Sequence, residues 1–460
     1  MCVLPVAIML VLMAFFALDK LMLIMAFLVP LSIPLSEIIE GLPIDMFLPT
    51  EPLLACILLL FIIKLIHENC FDKRILTHPV SIAIYLYLTW MLITSITSVD
   101  PVVSLKHWIS RVWFIVAFYF IMTQVFRNNH DNAKKYITLY SVALSIVIIY
   151  ATLRHIKYSG VNEKIIFDAA NPFYKDHTSY GALISFYIPP IAALCFENGI
   201  KKTFNWRYLI ILCLLIVGLI LSYSRAAWVS LVGALGIWFC IKHRIKFSTI
   251  MLGVTILLAV VLSLGHTLVR DFQANDQDSS TNIVEHIQSI SNISTDASNL
   301  ERINRWKCAI RMFQEKPIFG WGPGTYMFYY APFQVANERT IISTNNGDLG
   351  NAHSEYLGPL CEQGFMGPIL LILVIITTIV TGIRAIRITN NTKLSKFGIA
   401  IIVGLCTYYA HGVLNNFLDT DKASAPFWGF TAILVAIDVY YTNRYKADAD
   451  ESPKQIEDKE

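Results

Sequence analysis

The side chains best suited to chemistry are concentrated between residues 298 and 367, within the longest polar interval of the sequence. Arg302 and Arg305 lie in the first turns of a predicted helix, and His353 follows further along the chain. An arginine guanidinium carries a permanent charge and a planar set of donors that suits a phosphate. A histidine with an ordinary pKa of about 6.5 can accept a proton at neutral pH. This combination is typical of a site that holds an anion and moves a proton.

The helix that carries the two arginines is predicted from its start signal and its periodicity. Ser298 is a capping residue, and Glu301 follows it at the spacing of a capping box. Apolar residues then recur at helical spacing, namely Ile303, Trp306, Ile310 and Phe313. Pro317 ends the pattern, so we expect an amphipathic helix near 299–314. On this pattern alone, a surface helix with a solvated basic face would account for the arginines equally well.

Composition places the chain in a membrane. It has 460 residues, of which 55% are hydrophobic, and its mean hydropathy is +0.57. A soluble domain of this size needs no such content, so we predict an all-α polytopic membrane protein. The formal net charge of +3 is too small to indicate a nucleic-acid partner. The nine cysteines form no CxxC pair, although Cys308 and Cys361 flank the polar stretch and could pair in an oxidising compartment.

Apolar runs close to the roughly 20 residues of a bilayer span recur along the sequence. They lie near residues 2–18, 21–35, 52–67, 79–97, 104–126, 134–154, 178–196, 207–223, 225–242, 247–266, 366–387, 396–414 and 424–443. Pro30 and Pro34 weaken the second run, so residues 1–35 form either two short helices or one broken helix. We therefore expect about 12 transmembrane helices, or 13 if both short runs span the membrane.

Basic residues fall on alternate connections between these runs, which predicts that those connections are cytoplasmic. The predicted domains are the N-terminal transmembrane helices 1–266, one large extracytoplasmic (periplasmic) loop 267–355, the C-terminal transmembrane helices 356–443 and a disordered cytoplasmic tail 444–460. The cations on the outward side then include Lys106, Arg111, Arg225, Arg302 and Arg305. Such cations need anionic partners, although interfacial snorkelling would also account for Lys106 and Arg111.

The order of the motifs resembles the signature region of the O-antigen ligase and polymerase family of membrane glycosyltransferases. The resemblance rests on an arginine four residues before a tryptophan, a proline followed by paired glycines, a histidine before Tyr-Leu, and Glu-x-Gly-x-x-Gly. In this sequence these are Arg302 with Trp306, Pro317 with Gly320 and Gly322, His353, and Glu362 with Gly364 and Gly367. It extends upstream to the segment Ser-Tyr-Ser-Arg-Ala at residues 222–226.

The resemblance implies roles for individual residues. Arg225 and Arg302 would hold the donor diphosphate, with Arg305 and Arg111 as further candidates, and His353 would be the catalytic base. The common family pattern is His-Asn, whereas Ser354 follows the histidine here. Possible substrate contacts are Asp176, His177, Ser224, Glu355 and Tyr356. Asp176 could instead cap a helix, and Glu355 is a competing candidate for the base.

The resemblance implies that the protein acts as a lipopolysaccharide O-antigen ligase. It would lie in the bacterial inner membrane, with its site facing the periplasm. Its donor would be an undecaprenyl-diphosphate-linked glycan, and its acceptor would be the lipid A core. The protein would contact membrane lipids, and we expect no nucleic-acid partner. We expect no cofactor and no metal, because the sequence contains no phosphate-binding loop, no convincing Asp-x-Asp and no His-Glu-x-x-His. A polymerase, a protein O-oligosaccharyltransferase and a transporter of lipid-linked sugars are the alternatives.

Overall fold

The structure is a computed structural model, and it describes most of the chain. The described residues are 13, 16–39, 46–68, 71–129, 131–158, 168–197, 205–245, 249, 255, 297–340, 343–344, 350–389 and 392–442. Most of the runs near 2–18 and 247–266, much of the 267–355 loop and the 444–460 tail therefore lie outside the described residues.

The described residues are mostly helical. The helices are α1 Leu18–Leu28, α2 Thr50–Glu68, α3 Lys73–Leu76, α4 Pro79–Ile96, α5 Pro101–Asn128, α6 Asp131–Tyr158, α7 His177–Cys195, α8 Trp206–Leu221, α9 Arg225–Lys242, α10 Ala297–Glu315, α11 Tyr326–Tyr329, α12 Leu357–Gln363, α13 Met366–Ile388, α14 Thr392–His411 and α15 Asp421–Tyr441. Residues Val116–Ile121 of α5 and Ile437–Tyr441 of α15 are π-helical. The strands β1 Ile33–Pro34 and β2 Phe47–Leu48 pair antiparallel.

Eight of the described helices are long and apolar enough to cross a membrane, and two shorter apolar helices accompany them. The eight are α4, α5, α6, α7, α9, α13, α14 and α15. The prediction of an all-α membrane protein is thereby confirmed. The count of 12 or 13 spans stays a prediction, because two of the runs lie largely outside the described residues.

Helix α15 lies at the centre of the bundle, where 94% of its span is buried. A helix that is apolar on all sides fits such a position. The two ends of α15 nevertheless carry charged side chains, namely the buried Lys422 at its start and the partly buried Asp438 near its end. Each of these charges is satisfied by hydrogen bonds within the protein, as a buried charge requires.

The N-terminal segment folds back against the start of α15. Helix α1 has only 11 residues and gives way to a 3₁₀ turn that contains Pro30. The Ser32 and Thr50 hydroxyls donate to Asp421 Oδ2 at 2.8 and 2.5 Å, and Lys422 Nζ donates to the Ser32 carbonyl at 2.8 Å. The run at residues 21–35 is therefore a short helix followed by a buried turn, and it does not continue as a straight span.

The connections without basic clusters meet at one end of the bundle. Val99 N donates to the Trp321 carbonyl at 3.0 Å, and Glu355 N donates to the Gly412 carbonyl at 2.7 Å. At the other end, the guanidinium groups of Arg74 and Arg127 lie against the Tyr440 ring. The alternation predicted from basic residues therefore corresponds to two ends of the bundle. That the first of these ends faces the periplasm stays a prediction.

Cysteine labelling tests this orientation on two exposed positions. We expect Val335→Cys, in the loop after α11, to react with a membrane-impermeant maleimide in whole cells. Lys73→Cys, at the opposite end, should react only after the inner membrane is broken. Labelling of the native cysteines is measured on the unsubstituted protein and serves as the background. Reversed labelling of the two positions would contradict the orientation.

Candidate functional site

Trp306 and His353 are joined directly, which explains the spacing of the signature region. The Trp306 indole Nε1 donates to the His353 carbonyl at 3.2 Å. His353 N donates to Asn351 Oδ1 at 3.1 Å, and His353 has a φ of +48° in the left-handed region. A non-glycine residue is uncommon there and needs its surroundings to hold it. Arg302 is four residues before Trp306, so both side chains share one face of α10.

His353 lies in a largely buried, positively charged environment. Burial lowers its pKa to about 4, and the positive charges of Arg302 and Arg305 act in the same direction. The carboxylate of Asp176 opposes this effect but does not reverse it. At neutral pH the imidazole is therefore uncharged and able to accept a proton.

The N-terminal end of α7 approaches the turn between α8 and α9 very closely. A Cβ on Gly181 would lie 2.6 Å from Ser224 Cβ and 2.8 Å from Ser222 Oγ, so only glycine fits this crossing. Asp176 caps α7, because its Oδ1 accepts from Ser179 N at 2.7 Å. His177 follows it and lines a very small cavity together with Ser222. The capping alternative for Asp176 is therefore observed, and its charge still acts on His353.

Arg225 begins α9, and the turn before it is tightly ordered. Tyr223 has a φ of +51°, the Ser222 hydroxyl donates to the Leu219 carbonyl at 2.7 Å, and Ser224 N donates to Ser222 Oγ at 3.3 Å. Ser224 is buried, and its hydroxyl has no hydrogen-bond partner among the described residues. The N-terminus of an 18-residue helix, a nearby arginine and an unused hydroxyl together favour an anion.

His411, at the end of α14, was not singled out as a site residue from the sequence. Its side chain is buried, and its Nε2 lies 3.1 Å from the Asn415 amide nitrogen. The amide can only donate, so His411 Nε2 accepts and the proton resides on Nδ1. This Nδ1 has no side-chain hydrogen-bond partner among the described residues, and the backbone of Ala226 at the start of α9 also acts on the ring. The charges of Arg302 and Asp176 act on the same ring, so α7, α10 and α14 converge here.

Arg305 is occupied by contacts within the protein. It is 4% exposed, its Nε donates to Glu301 Oε1 at 2.7 Å, and its guanidinium carbon lies 3.9 Å from the centroid of the Tyr330 ring. Gly350 packs against this group, since a Cβ there would lie 1.9 Å from Arg305 Nη1. Burial raises the pKa of Glu301, but hydrogen bonds from Ser343 and Arg305 outweigh it and leave that pKa below its usual value. We therefore propose that Arg305 positions α10 and the 350–353 segment.

Arg305→Ala should destabilise the protein because it leaves Glu301 as an unpaired buried charge. Removing one partner of a buried pair typically costs about 3–5 kcal/mol. We expect a clearly lower thermal denaturation temperature in detergent. The matched control is Lys307→Ala on the same helix, where the half-exposed pair with Glu338 should contribute about 0–1 kcal/mol. Equal denaturation temperatures for both variants would contradict the assignment.

Arg111 lies in the wall of a cavity of about 650 Å³. Its Nη1 donates to the Leu418 carbonyl at 2.8 Å, and its Nη2 forms a short ion pair with Asp419. His107 Nε2 lies 3.5 Å from the same carboxylate. The Arg111 guanidinium is therefore already paired with a carboxylate, which weakens its case as a ligand for the donor diphosphate.

Glu355 anchors the loop after α14. Its Oε1 accepts from the Tyr408 hydroxyl and Phe417 N at 2.7 Å each, and from Leu418 N at 2.9 Å. Burial, together with the nearby charge of Asp419, raises the pKa of Glu355 to about 7. Two residues apart in sequence, His353 and Glu355 thus occupy environments that shift their pKa values in opposite directions.

The remaining predicted contacts have ordinary structural partners. The Tyr356 hydroxyl donates to the Tyr409 carbonyl at 2.9 Å and fixes the start of α12 against α14. Cys308 and Cys361 are both buried in one small apolar cluster, and both thiols are free. Among the described residues, no three His, Cys, Asp or Glu side chains form a group that could hold a metal ion. Metal-independent chemistry stays a prediction.

Comparison with known proteins identifies one domain. Residues 210–372 match the family described as O-Antigen ligase, and this range contains Arg225, Arg302 and His353. No curated protein matches the chain. The resemblance predicted from the motifs is confirmed: residues 210–372 carry an O-antigen ligase domain, which supports membership of this chain in the O-antigen ligase and polymerase family.

Proposed function

We propose that the protein is a membrane glycosyltransferase that moves a glycan from undecaprenyl diphosphate to a hydroxyl of the lipid A core. The O-antigen ligase domain supports a function of ligase or polymerase type in general. The donor, the acceptor and the mechanism below are our own assignments. The observation that carries them is that Arg302 of α10 and Asp176 at the start of α7 act on both His353 and His411, the last residue of α14.

The donor diphosphate would bind between Arg302 and Arg225. Two phosphates in a partly dry site need donors and positive charge, and both arginines supply them. The N-terminus of α9, the Ser224 hydroxyl and the Nδ1 proton of His411 would add hydrogen bonds to the phosphate oxygens. The polyprenyl chain would extend from this end of the bundle into the surrounding lipid.

Transfer would proceed as a single displacement. The acceptor hydroxyl attacks the anomeric carbon and gives its proton to the His353 imidazole, while the bond from the anomeric carbon to the phosphate oxygen breaks. The electron pair leaves on the diphosphate, which the arginines stabilise. Attack from the face opposite the leaving group inverts the anomeric configuration.

The identity of the acceptor distinguishes the proposed ligase from a polymerase and from an enzyme of protein O-glycosylation. In cells that carry a radiolabelled lipid-linked glycan, we expect label to chase into lipopolysaccharide when the protein is present and to stay lipid-linked when it is deleted. Label that chases into longer lipid-linked chains would indicate a polymerase, and label in protein would indicate protein O-glycosylation. Either of these results would overturn the assignment of the lipid A core as acceptor.

A further inference from the structure

We infer that the cavity beside Arg111 is a second substrate site, which binds the acceptor as an uncharged, hydroxyl-rich sugar. This inference rests on the proposed function. The cavity has a volume of about 650 Å³, within the range of about 300–1,000 Å³ that is usual for ligand sites. It lies between α4, α5, α12, α13 and the N-terminal segment, and no step of the proposed donor binding uses it.

The charges around the cavity disfavour a phosphate. Four carboxyl groups line it, whereas its permanent cations are only Arg111 and Lys106. Arg111 is paired with Asp419, and Lys106 is exposed at the rim. A diphosphate would therefore find little net positive charge to balance its own, which costs free energy in a partly buried site. Sugar hydroxyls carry no charge and can donate to carboxylates.

Glu362 is a further hydrogen-bonding group in the wall of the cavity. Its Oε1 accepts from Tyr326 N at 3.0 Å, and its side chain reaches the cavity. Burial raises the pKa of Glu362 to about 8, so at neutral pH this carboxyl is mostly protonated and can donate a hydrogen bond. Such a group can both give and accept hydrogen bonds, as recognition of a polyol requires.

Aromatic side chains complete the lining. Tyr87, Trp113 and Phe328 all face the cavity, and flat rings of this kind suit the apolar face of a sugar ring. Mixed aromatic and hydrogen-bonding walls with few net charges are typical of sites that bind small polar molecules.

The cavity is connected to the proposed base through a short stretch of backbone. Asn351, Ala352 and Glu355 line the cavity, and Asn351 Oδ1 accepts from His353 N at 3.1 Å. A sugar in the cavity would therefore contact the residues that hold His353 in its left-handed conformation. A sugar in the cavity would thus lie next to the backbone segment that carries His353.

The test measures occupancy without requiring catalysis. Ser110→Cys places a thiol on the α5 face that lines the cavity, and Val102→Cys places one on an exposed part of the same helix. Each variant is treated in detergent with a maleimide, and labelling is quantified on the peptide that carries the new cysteine. Three probes are compared: lipid A core from cells that lack this protein, the lipid-linked glycan, and undecaprenyl diphosphate without sugar.

We expect lipid A core at about ten times its Kd to slow labelling at position 110 by roughly tenfold, because only the free site reacts. Undecaprenyl diphosphate should leave this rate unchanged, and position 102 should react equally under all conditions. Protection by undecaprenyl diphosphate, protection by the lipid-linked glycan alone, or no protection at all would each overturn the inference. Transfer activity is measured on the same preparation: transfer without protection rejects only this inference, and protection without transfer rejects only the proposed function.

Discussion

Arg225→Ala and Arg302→Ala are each expected to lower the rate of glycan transfer by about 10²–10³-fold, because each removes a charge-assisted donor from the leaving diphosphate. Lysine at either position should restore only part of the rate, since an ammonium lacks the planar fork of donors. Transfer is measured with the purified protein in liposomes at equal protein content.

The control for these variants is Arg311→Ala. Arg311 lies on α10 as Arg302 does, but it donates to the Phe333 carbonyl at 2.8 Å and pairs with Glu338. We expect its loss to leave the rate of transfer nearly unchanged. If Arg302→Ala and Arg311→Ala behaved alike, the charge of Arg302 would have no special role in holding the diphosphate.

His353→Ala should lower transfer by about 10²–10⁴-fold, the usual contribution of a positioned general base. His353→Gln should be equally slow, because an amide keeps a hydrogen bond but cannot take the proton. Binding of undecaprenyl diphosphate should stay close to wild type in both variants, since the arginines are intact. Rates near wild type for both variants would remove this histidine from the mechanism.

The pH dependence separates His353 from Glu355 as the base. A general base works in its deprotonated form, so transfer falls as the pH drops through the pKa of that group. The pKa of His353 is lowered to about 4, whereas that of Glu355 is raised to about 7. We therefore expect transfer to persist from pH 7 down to about 5 and to fall only below that. A loss centred near pH 7 in the wild type, with slow transfer at every pH in Glu355→Gln, would assign the base to Glu355.

Local patterns predicted the parts of this molecule that depend on nearby residues. The apolar runs predicted the membrane helices, and the periodicity predicted α10 with Arg302 on one face. The predicted capping box is not observed, because α10 already includes Ser298 and Glu301 accepts from Arg305 and Ser343. The motif spacing between Arg302 and Trp306 also has a physical basis, because the indole fixes the backbone of His353. The helices and the shared face of Arg302 and Trp306 arise within a few turns of one helix, where sequence spacing determines geometry. The contact from Trp306 to His353 spans 47 positions and does not follow from that spacing.

Local patterns could not predict which residues pair across long distances in the sequence. Arg305 was predicted as a further diphosphate candidate beside Arg302, yet its partners include Tyr330 and Gly350, which no spacing rule connects to it. Arg111 pairs with Asp419 across 308 positions. His411 was not predicted as a site residue, because its surroundings depend on the packing of three helices. The close approach at Gly181 could have been predicted from the sequence, because a glycine inside an apolar helix often marks close approach of another backbone.

The central claim is that a lipid diphosphate leaves from an arginine site without help from a metal ion. The direct test reconstitutes the purified protein with undecaprenyl-diphosphate-linked glycan and lipid A core in the presence of EDTA. The glycan transferred and the undecaprenyl diphosphate released are then counted in the same reaction. We predict transfer with one undecaprenyl diphosphate released per glycan. Transfer that stops in EDTA and returns with Mg²⁺ or Mn²⁺, or release of undecaprenyl diphosphate that does not match the glycan transferred, would contradict the account.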